Sequence, residues 1–307
     1  MYLEHFGLKK LPFTITPNTE FFCNLAGYQS ALNVLLFSLK SGEGFIKLTG
    51  VVGAGKTLLC RKILNQLSDD FVSAYIPNPD LNPNDLRKAL ALELRIDCPD
   101  NDDQSELLVL INQKLLDLHD EGKKVAFIID EAQALPDASL EALRLLTNLE
   151  TESDRLLQIV LFAQPELDAR LGQHQFRQLK QRITFSYKLH PINRNELDPY
   201  VCHRLSIAGY TQGSIFTRQA LELLFQHSAG IPRVINILCH KAMLNAYGKG
   251  VKRVDRKSML TAISDSHDIL TQKTLNKKTR WISISAVLAA VACLGVISAH
   301  FINVIRI

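Results

Sequence analysis

A glycine-rich loop between an apolar strand and a helix constrains the fold of this chain more than any other feature. Residues 50–57 read Gly-Val-Val-Gly-Ala-Gly-Lys-Thr, the complete pattern G-x4-G-K-T. The apolar segment 44–49 precedes the loop, and an apolar-periodic segment continues to about residue 67. Glycines let backbone N–H groups turn toward phosphate oxygens, and a helix N-terminus favours an anion. The sequence therefore predicts a P-loop that binds a nucleotide.

The side chains at the end of the loop have predicted roles. Lys56 is expected to neutralise the β- and γ-phosphates, and Thr57 to place its hydroxyl on Mg²⁺. The other contacts are expected from the backbone of the loop and the first helical turn. The predicted nucleotide-binding residues are Gly50, Val51, Val52, Gly53, Ala54, Gly55, Lys56, Thr57, Leu58 and Asp130. The alternative is a glycine turn with a purely structural role.

A second apolar strand ends in two carboxylates. Residues 125–129 read Val-Ala-Phe-Ile-Ile and are followed by Asp130 and Glu131. Ligands of parallel α/β sheets bind at the carboxyl ends of the strands. Asp130 is therefore predicted to share Mg²⁺ with Thr57, and Glu131 to polarise the attacking water as a general base. The alternative is an N-cap for the next helix.

Strand and helix patterns alternate through the first 190 residues, and the pattern becomes all-helical after Pro191. Alternation of this kind predicts a parallel sheet covered on both faces. The predicted strands are 44–49, 71–76, 124–129, 156–162 and 182–189, and the predicted helices between them include 84–96, 105–119 and 138–149. The helices predicted beyond Pro191 are about 194–207, 217–228, 232–247 and 256–267.

Four more polar residues are candidates for the site. Gln164 follows a predicted strand and is placed to reach the γ-phosphate and the water, or to cap a loop. Arg233 lies at a predicted helix start, where the dipole disfavours a cation. It is therefore a candidate nucleotide contact, with a surface ion pair as the alternative. Arg177 and Arg182 precede the last predicted strand, and a solvated surface arginine is the alternative for both.

Together these motifs resemble the AAA+ ATPases, and more narrowly the ExeA/GspA-type secretion and pilus-assembly ATPases. The similarity covers roughly residues 1–265, including 1–22, 53–62, 128–133, 156–167, 178–189 and 229–241. The resemblance implies the P-loop AAA+ (ASCE) fold, with parallel strand order 5-1-4-3-2 and a helical lid. It also implies hydrolysis of ATP with Mg²⁺.

The resemblance assigns further roles residue by residue. Gln164 takes the sensor-1 position and Arg233 the sensor-2 position. Arg182 takes the position of the arginine finger, which acts on a neighbouring subunit, with Arg177 as the alternative. The catalytic residues it implies are Lys56, Glu131, Gln164, Arg182 and Arg233. Pro17-Asn18 and Tyr28 would line the adenine pocket, and a finger in trans implies a homo-oligomer.

The formal net charge of +4 conceals a division of charge along the chain. Residues 1–150 carry 14 basic and 21 acidic residues, whereas residues 151–307 carry 21 basic and 10 acidic ones. Nine basic and three acidic residues lie within 249–280, directly before an apolar run. The sequence shows no helix-turn-helix or zinc module that would favour nucleic acid as the partner. Anionic lipid is therefore the predicted partner of this basic segment.

The apolar run, residues 281–305, contains no Asp, Glu, Lys or Arg. As a helix it would span roughly 37 Å, enough for a bilayer core of about 30 Å. Basic residues precede it and only Arg306 follows, so the positive-inside rule predicts that the preceding chain is cytoplasmic. The alternative is a buried terminal helix of a soluble protein. The cysteine spacing is a separate observation. The six cysteines include no C-x-x-C pair, so their spacing matches neither a zinc site nor a disulfide framework.

The apolar run predicts a single-pass inner-membrane protein, and the family resemblance implies an ATPase that supports assembly of a type IV (MSHA-like) pilus or a type II secretion complex. Its partner would be a membrane protein of that assembly. The alternatives are a DNA-associated AAA+ ATPase of the transposition or initiator type and a nucleotide-gated scaffold with low turnover. The expected units are an AAA+ core (1–190) with an adenine-side segment (1–30), a helical lid (191–268), a basic juxtamembrane linker (269–280) and a transmembrane helix (281–305).

Overall fold

A five-stranded parallel sheet organises the first part of the computed structural model, which describes residues 2–97, 104–152 and 154–266. The spatial order of the strands is β2-β3-β4-β1-β5, so the predicted order 5-1-4-3-2 is confirmed. The strands are β1 (Phe45–Gly50), β2 (Phe71–Ile76), β3 (Lys124–Ile129), β4 (Leu157–Ala163) and β5 (Phe185–Leu189).

Helices cover both faces of this sheet and continue alone after β5. Those before β5 are α1 (Tyr2–Phe6), α2 (Ala26–Lys40), α3 (Lys56–Leu64), α4 (Pro83–Glu93), α5 (Gln104–Asp120), α6 (Asp137–Leu146), α7 (Pro165–Leu171) and α8 (Arg177–Arg182). Those after β5 are α9 (Arg194–Ile207), α10 (Arg218–Ser228), α11 (Pro232–Gly248) and α12 (Arg256–Ser264). We call α9–α12 the helical bundle.

Strand residues pack alternately into two hydrophobic cores, because successive side chains of a strand point to opposite faces. In β3, Ala126 and Ile128 belong to one core, whereas Phe127 and Ile129 belong to the other. The first core continues into the helical bundle and includes buried residues of α9 and α11. The central strands are buried on both faces, which explains why their sequences are almost continuously apolar.

The predicted last strand, 182–189, begins too early. Arg182 ends helix α8, and β5 starts at Phe185. Helix α8 reads Arg-Gln-Leu-Lys-Gln-Arg, all favourable helix formers, and Leu179 is its buried anchor. A helix of six residues is too short to produce a clear 3.6-residue period. Helices α1, α2, α7 and α8 are likewise not among the predicted elements.

The N-terminal segment packs against the helical bundle. The Tyr2 hydroxyl lies 3.0 Å from Nδ1 of His240 on α11. The Lys9 N–H donates to the Ala208 carbonyl at 2.8 Å. The first residues of the chain therefore contact the bundle at α11 and directly after α9.

In the part of the chain that the structure describes, no helix is long and apolar enough to cross a membrane. The predicted transmembrane helix, 281–305, and the predicted linker, 269–280, lie outside the described residues.

The connection from β5 to the bundle depends on a glycine. Gly230 has φ +72°, and a Cβ there would lie 1.9 Å from the Ile192 carbonyl oxygen. The Ile192 N–H in turn donates to the Gly230 carbonyl at 2.8 Å. The backbones of the two segments are therefore in direct contact.

We expect Gly230→Ala to lower the free energy of unfolding by about 3 kcal/mol or more, because the methyl overlaps backbone that cannot move aside. Gly250→Ala is the matched control, since Gly250 has φ +70° with nothing within 4 Å of the added Cβ. It should cost only about 1–2 kcal/mol, the penalty for a left-handed residue. Urea unfolding of both variants measures the difference, and equal losses would contradict the close approach.

Candidate functional site

The P-loop joins the end of β1 to the start of α3. Gly53 and Gly55 have φ +77° and +94°, a region that favours glycine. A Cβ on Gly53 would lie 2.7 Å from Cβ of Arg233 on α11. The loop therefore needs glycine at this position both for its own turn and for the close approach of the helical bundle.

Lys56 is buried at the first position of α3. Its Nζ donates to the Gly50 carbonyl at 3.0 Å and lies 3.4 Å from the Val51 carbonyl. Burial lowers the pKa of Lys56, an effect that nearby Glu131 and Asp130 oppose. Among the described residues no carboxylate forms an ion pair with Lys56. An ammonium has three donors and here uses two on neutral carbonyls, so the site fits a phosphate oxygen.

Asp130 follows β3 and lies beside the start of α3. Its Oδ1 accepts the Glu131 N–H at 2.9 Å, and the nearby Thr57 side chain acts to lower the pKa of the same carboxylate. Burial raises the pKa of Asp130 despite these hydrogen bonds. A carboxylate and a hydroxyl in contact are the hard oxygen donors that Mg²⁺ prefers, with water and phosphate oxygens as its other ligands. These two residues therefore fit a magnesium ion at the end of the P-loop.

Glu131 adopts a left-handed backbone conformation, with φ +51° and ψ +36°. Its Oε2 accepts hydrogen bonds from Nε2 of Gln164 at 3.0 Å and from Nε2 of Gln133 at 2.6 Å. Burial acts to raise the pKa of Glu131, but the two amides and the charge of Lys56 outweigh burial and hold the pKa below its ordinary value. The carboxylate is therefore ionised and fixed in place, as a general base requires.

Gln133 is a site residue that the sequence analysis did not single out. Its Oε1 accepts the Gln164 N–H at 2.9 Å, so one side chain links β3 to the end of β4. Arg170 of α7 fixes the same turn by donating to the Gln133 carbonyl at 2.9 Å and the Leu135 carbonyl at 2.8 Å. The short 3₁₀ turn that directs Gln133 back toward Glu131 leaves no signal in the hydrophobic pattern.

A cavity of about 440 Å³ opens beside the P-loop. Its walls come from three regions: the loop with Glu131, the N-terminal segment, and the helical bundle. The lining residues are Thr14, Ile15, Thr16, Pro17, Asn18, Val52, Gly53, Gly55, Lys56, Thr57, Leu58, Glu131, Tyr200, Arg204, Pro232, Arg233 and Asn236.

The expected adenine-side residues divide into two groups. Pro17 and Asn18 line the cavity. Tyr28 is not among its lining residues. It is buried behind the loop, where its hydroxyl donates to the Ala54 carbonyl at 2.6 Å. The apolar face of α2 carries Tyr28 into the core, so the ring supports the P-loop from below.

Three residues of the bundle complete the far wall of the cavity and were not predicted. Arg204 is buried, donates to the Pro12 carbonyl at 2.6 Å and stacks 4.8 Å from the centre of the Phe21 ring. Tyr200 donates to Asn236 at 3.0 Å, and the Asn236 amide donates to the carbonyl of Thr14 at 3.2 Å. These bonds hold the N-terminal segment against the bundle. The bonds of Arg204 to Pro12 and of Asn236 to Thr14 join residues more than 190 positions apart, which no local pattern reveals.

The predicted arginines occupy different places. Arg233 lines the cavity, and its backbone N–H donates to the Gly53 carbonyl at 3.2 Å. Arg182 lies outside the cavity and donates to the Thr147 carbonyl at 3.3 Å and the Asn148 amide oxygen at 2.6 Å. Arg177 is exposed at the start of α8. The structure thus brings Arg233 to the P-loop and leaves Arg182 and Arg177 apart from it.

Comparisons with known proteins agree with this geometry. A family model of an AAA domain matches residues 39–171. The chain is 42% identical over 254 residues to the general secretion pathway protein A of Aeromonas hydrophila. The chain belongs to the ExeA/GspA-type AAA+ ATPases. The matched region covers 83% of this ATPase but 46% of the Aeromonas protein, so the chain spans about half the length of that relative.

Solved structures share the fold of this ATPase. The origin recognition complex of Drosophila bound to DNA matches with a TM-score of 0.62 and 17% identity, over 83% of this chain and 64% of that one. The ORC2 protein of Aeropyrum pernix gives 0.58 and 17%, over 83% and 74%. The RuvB branch-migration motor of Thermotoga maritima gives 0.54 and 17%, over 83% and 73%.

We expect Gln133→Ala to shift the acidic limb of the ATP hydrolysis profile to higher pH. The variant removes one of the hydrogen bonds that lower the pKa of Glu131, so the carboxylate gains its proton at a higher pH than in the unchanged protein. The pH dependence of kcat/KM measures the shift.

Gln175→Ala is the matched control, because the Gln175 amide donates to Asp137 at 3.0 Å on the surface. Its profile should stay unchanged. A uniform loss of rate in Gln133→Ala without a shift of the limb would show that Gln133 acts on packing rather than on Glu131.

Proposed function

We propose that this protein hydrolyses ATP, and that Glu131 is its general base. The observation that carries the proposal is the fixed carboxylate of Glu131, which lines the same cavity as Lys56 and Thr57. A general base must be ionised and within reach of the water that it activates. Two amide donors and a neighbouring ammonium meet the first requirement, and position in the cavity supports the second.

Binding of the phosphates would rest on α3 and the loop before it. Lys56 would turn its free donor to a phosphate oxygen, with the loop N–H groups and the helix dipole adding to the attraction. Thr57 and Asp130 would hold Mg²⁺, which neutralises phosphate charge when bound. Arg233, on the opposite wall, is our candidate for a second positive contact with the nucleotide.

Proton transfer would rest on Glu131 and not on the neighbouring Asp130. Glu131, with its lowered pKa, is ready to accept the proton of the attacking water. Gln164 holds that carboxylate from the end of β4 and is our candidate for the residue that senses the phosphate. Asp130, whose pKa is raised by burial, has no free path to the water because its oxygens face Thr57 and the Glu131 N–H.

We expect Glu131→Gln to retain ATP binding and to lose about 10²–10⁴-fold in turnover, the usual contribution of a positioned general base. Phosphate release and binding of a fluorescent ATP analogue measure the two properties separately. Glu141→Gln is the control, since Glu141 pairs with Arg144 on the surface of α6. If Glu131→Gln turns over at the normal rate, the assignment of the base is wrong.

We further propose that the active form is a homo-oligomer in which Arg182 contacts the nucleotide of a neighbouring subunit. Arg182 is half-buried outside its own cavity, and its bonds to Thr147 and Asn148 fix its position near the surface. Arg177, exposed at the other end of α8, is the alternative finger.

We expect Arg182→Ala to lower turnover by about 10³-fold or more, the usual effect of losing an arginine finger. Mixing it with Lys56→Ala subunits should restore part of the activity, because some sites then combine an intact P-loop with an intact finger. Steady-state ATP hydrolysis at varied mixing ratios measures this. If only Arg177→Ala behaves in this way, Arg177 is the finger, and absence of rescue for both would rule out action in trans.

The cellular role that we propose is support of a secretion or type IV (MSHA-like) pilus assembly at the inner membrane, with a membrane protein of that assembly as partner. The relative's name, general secretion pathway protein A, supports the secretion part. The uncharged run 281–305 and the basic residues before it support an anchor with the ATPase on the cytoplasmic side.

A further inference from the structure

The segment after α11 forms a basic surface at the end of the bundle. We define the α11–α12 surface as the five exposed residues Lys249, Lys252, Arg253, Arg256 and Lys257. Asp255 is the one carboxylate within residues 249–257. Its side chain accepts the Ser258 N–H at 2.8 Å and thereby caps α12. The Asp255 carboxylate is therefore hydrogen-bonded to the N-terminus of α12, and the five basic side chains face solvent.

Folding does not account for these charges. Arg256 and Lys257 are the first two residues of α12, where the helix dipole disfavours a cation. Among the described residues none of the five basic side chains pairs with a carboxylate. Only Lys249, which caps the C-terminus of α11, has a favourable position relative to a helix dipole.

The surface is also separate from the nucleotide site. Helix α11 starts at the cavity, with Pro232 and Arg233 in its first turn, and its 17 residues end at Gly248. At a rise of about 1.5 Å per residue, the two ends lie about 25 Å apart. The five basic residues therefore do not contribute to phosphate binding in the cavity.

Apolar side chains and one more arginine extend this surface. Val251 is 43% exposed and Leu260 is 38% exposed. The start of α10 lies beside the segment 249–257, because the Thr217 N–H donates to the Val254 carbonyl at 2.9 Å. Arg218, the first residue of α10, therefore lies near the α11–α12 surface. Basic residues interspersed with exposed apolar ones suit a membrane interface, where headgroups meet the cations and the apolar side chains leave water. A nucleic-acid backbone offers no such partner for Val251 and Leu260.

The sequence keeps this surface close to the predicted anchor. Fourteen residues separate Ser266 from Trp281, where the apolar run begins. Even a fully extended segment of this length reaches only about 50 Å. Four of the fourteen residues are basic (Lys273, Lys277, Lys278 and Arg280) and one is acidic (Asp268), so their net charge has the same sign as the surface.

We propose that the α11–α12 surface docks the ATPase against the anionic headgroups of the bilayer that holds residues 281–305. The inference rests on the proposed membrane anchor and adds a second, electrostatic contact to it. Docking at this end of α11 directs the other end, with the nucleotide cavity, away from the bilayer.

Lysine acetylation of the full-length chain in vesicles tests the docking directly. We expect Lys249, Lys252 and Lys257 to be acetylated several-fold more slowly in vesicles containing phosphatidylglycerol than in vesicles of phosphatidylcholine alone. High salt should remove the difference, because it screens exposed charges. Lys40, at the end of α2, and Lys124, at the start of β3, lie outside the α11–α12 surface. They are internal references and should react equally in both vesicles.

A triple variant, Lys252→Gln, Arg253→Gln and Lys257→Gln, should abolish the protection of Lys249. Each basic residue near an anionic surface contributes roughly a fivefold factor, so the three together contribute about a hundredfold. The control is Lys40→Gln, Lys123→Gln and Lys124→Gln, which removes the same charge elsewhere and should keep the protection. The three substituted residues of the α11–α12 surface are exposed. The thermal unfolding midpoint of both variants should therefore match that of the unchanged protein.

The outcomes separate docking from anchoring. Equal acetylation in the two vesicles, with the chain still sedimenting with both, would overturn docking and leave the anchor intact. If the chain sediments with phosphatidylglycerol vesicles alone, and the triple variant of the α11–α12 surface does not, docking is supported and the anchor is overturned. Sedimentation with neither vesicle would overturn both. Tight binding of duplex DNA that depends on the same three residues, without lipid-dependent protection, would identify nucleic acid as the partner instead.

Discussion

The site depends on the way in which the rest of the fold holds the backbone of the P-loop. Tyr28 donates to the Ala54 carbonyl from beneath, and the Arg233 N–H donates to the Gly53 carbonyl from the helical bundle. Two adjacent carbonyls are thus bonded to elements outside the loop. A Cβ on Gly53 would also overlap the side chains of Arg233 and Ile231, so the backbone of the loop lies directly against the start of α11.

The surroundings of the P-loop shift the pKa values of two neighbouring carboxylates in opposite directions. Burial raises the pKa of Asp130, whereas amide donors and Lys56 hold the pKa of Glu131 below its ordinary value. A divalent cation beside Asp130 would favour its ionised form, so the buried carboxylate suits a metal ligand better than a base. Two adjacent carboxylates are thus given different roles by their surroundings, one as a metal ligand and the other as a base.

The sequence predicts those features that depend on local pattern. Buried strands appear as apolar runs, and the P-loop and Asp130-Glu131 lie at the strand ends where parallel sheets bind ligands. Gln133, Arg204 and Tyr28 escape prediction because their roles arise from contacts distant in sequence or from a three-residue turn. The start of β5 is mispredicted for a related reason: α8 is too short for its helical period to be distinguished from a strand.

Helix α11 connects the features that the sequence presents separately. Its first turn carries Arg233 to the nucleotide cavity, and its last turn leads into the exposed basic residues about 25 Å away. The backbone contact of Gly230 with Ile192 holds the segment before α11 against the segment that follows β5. If the basic end docks on a bilayer, as proposed, α11 connects the membrane contact with the wall of the nucleotide cavity.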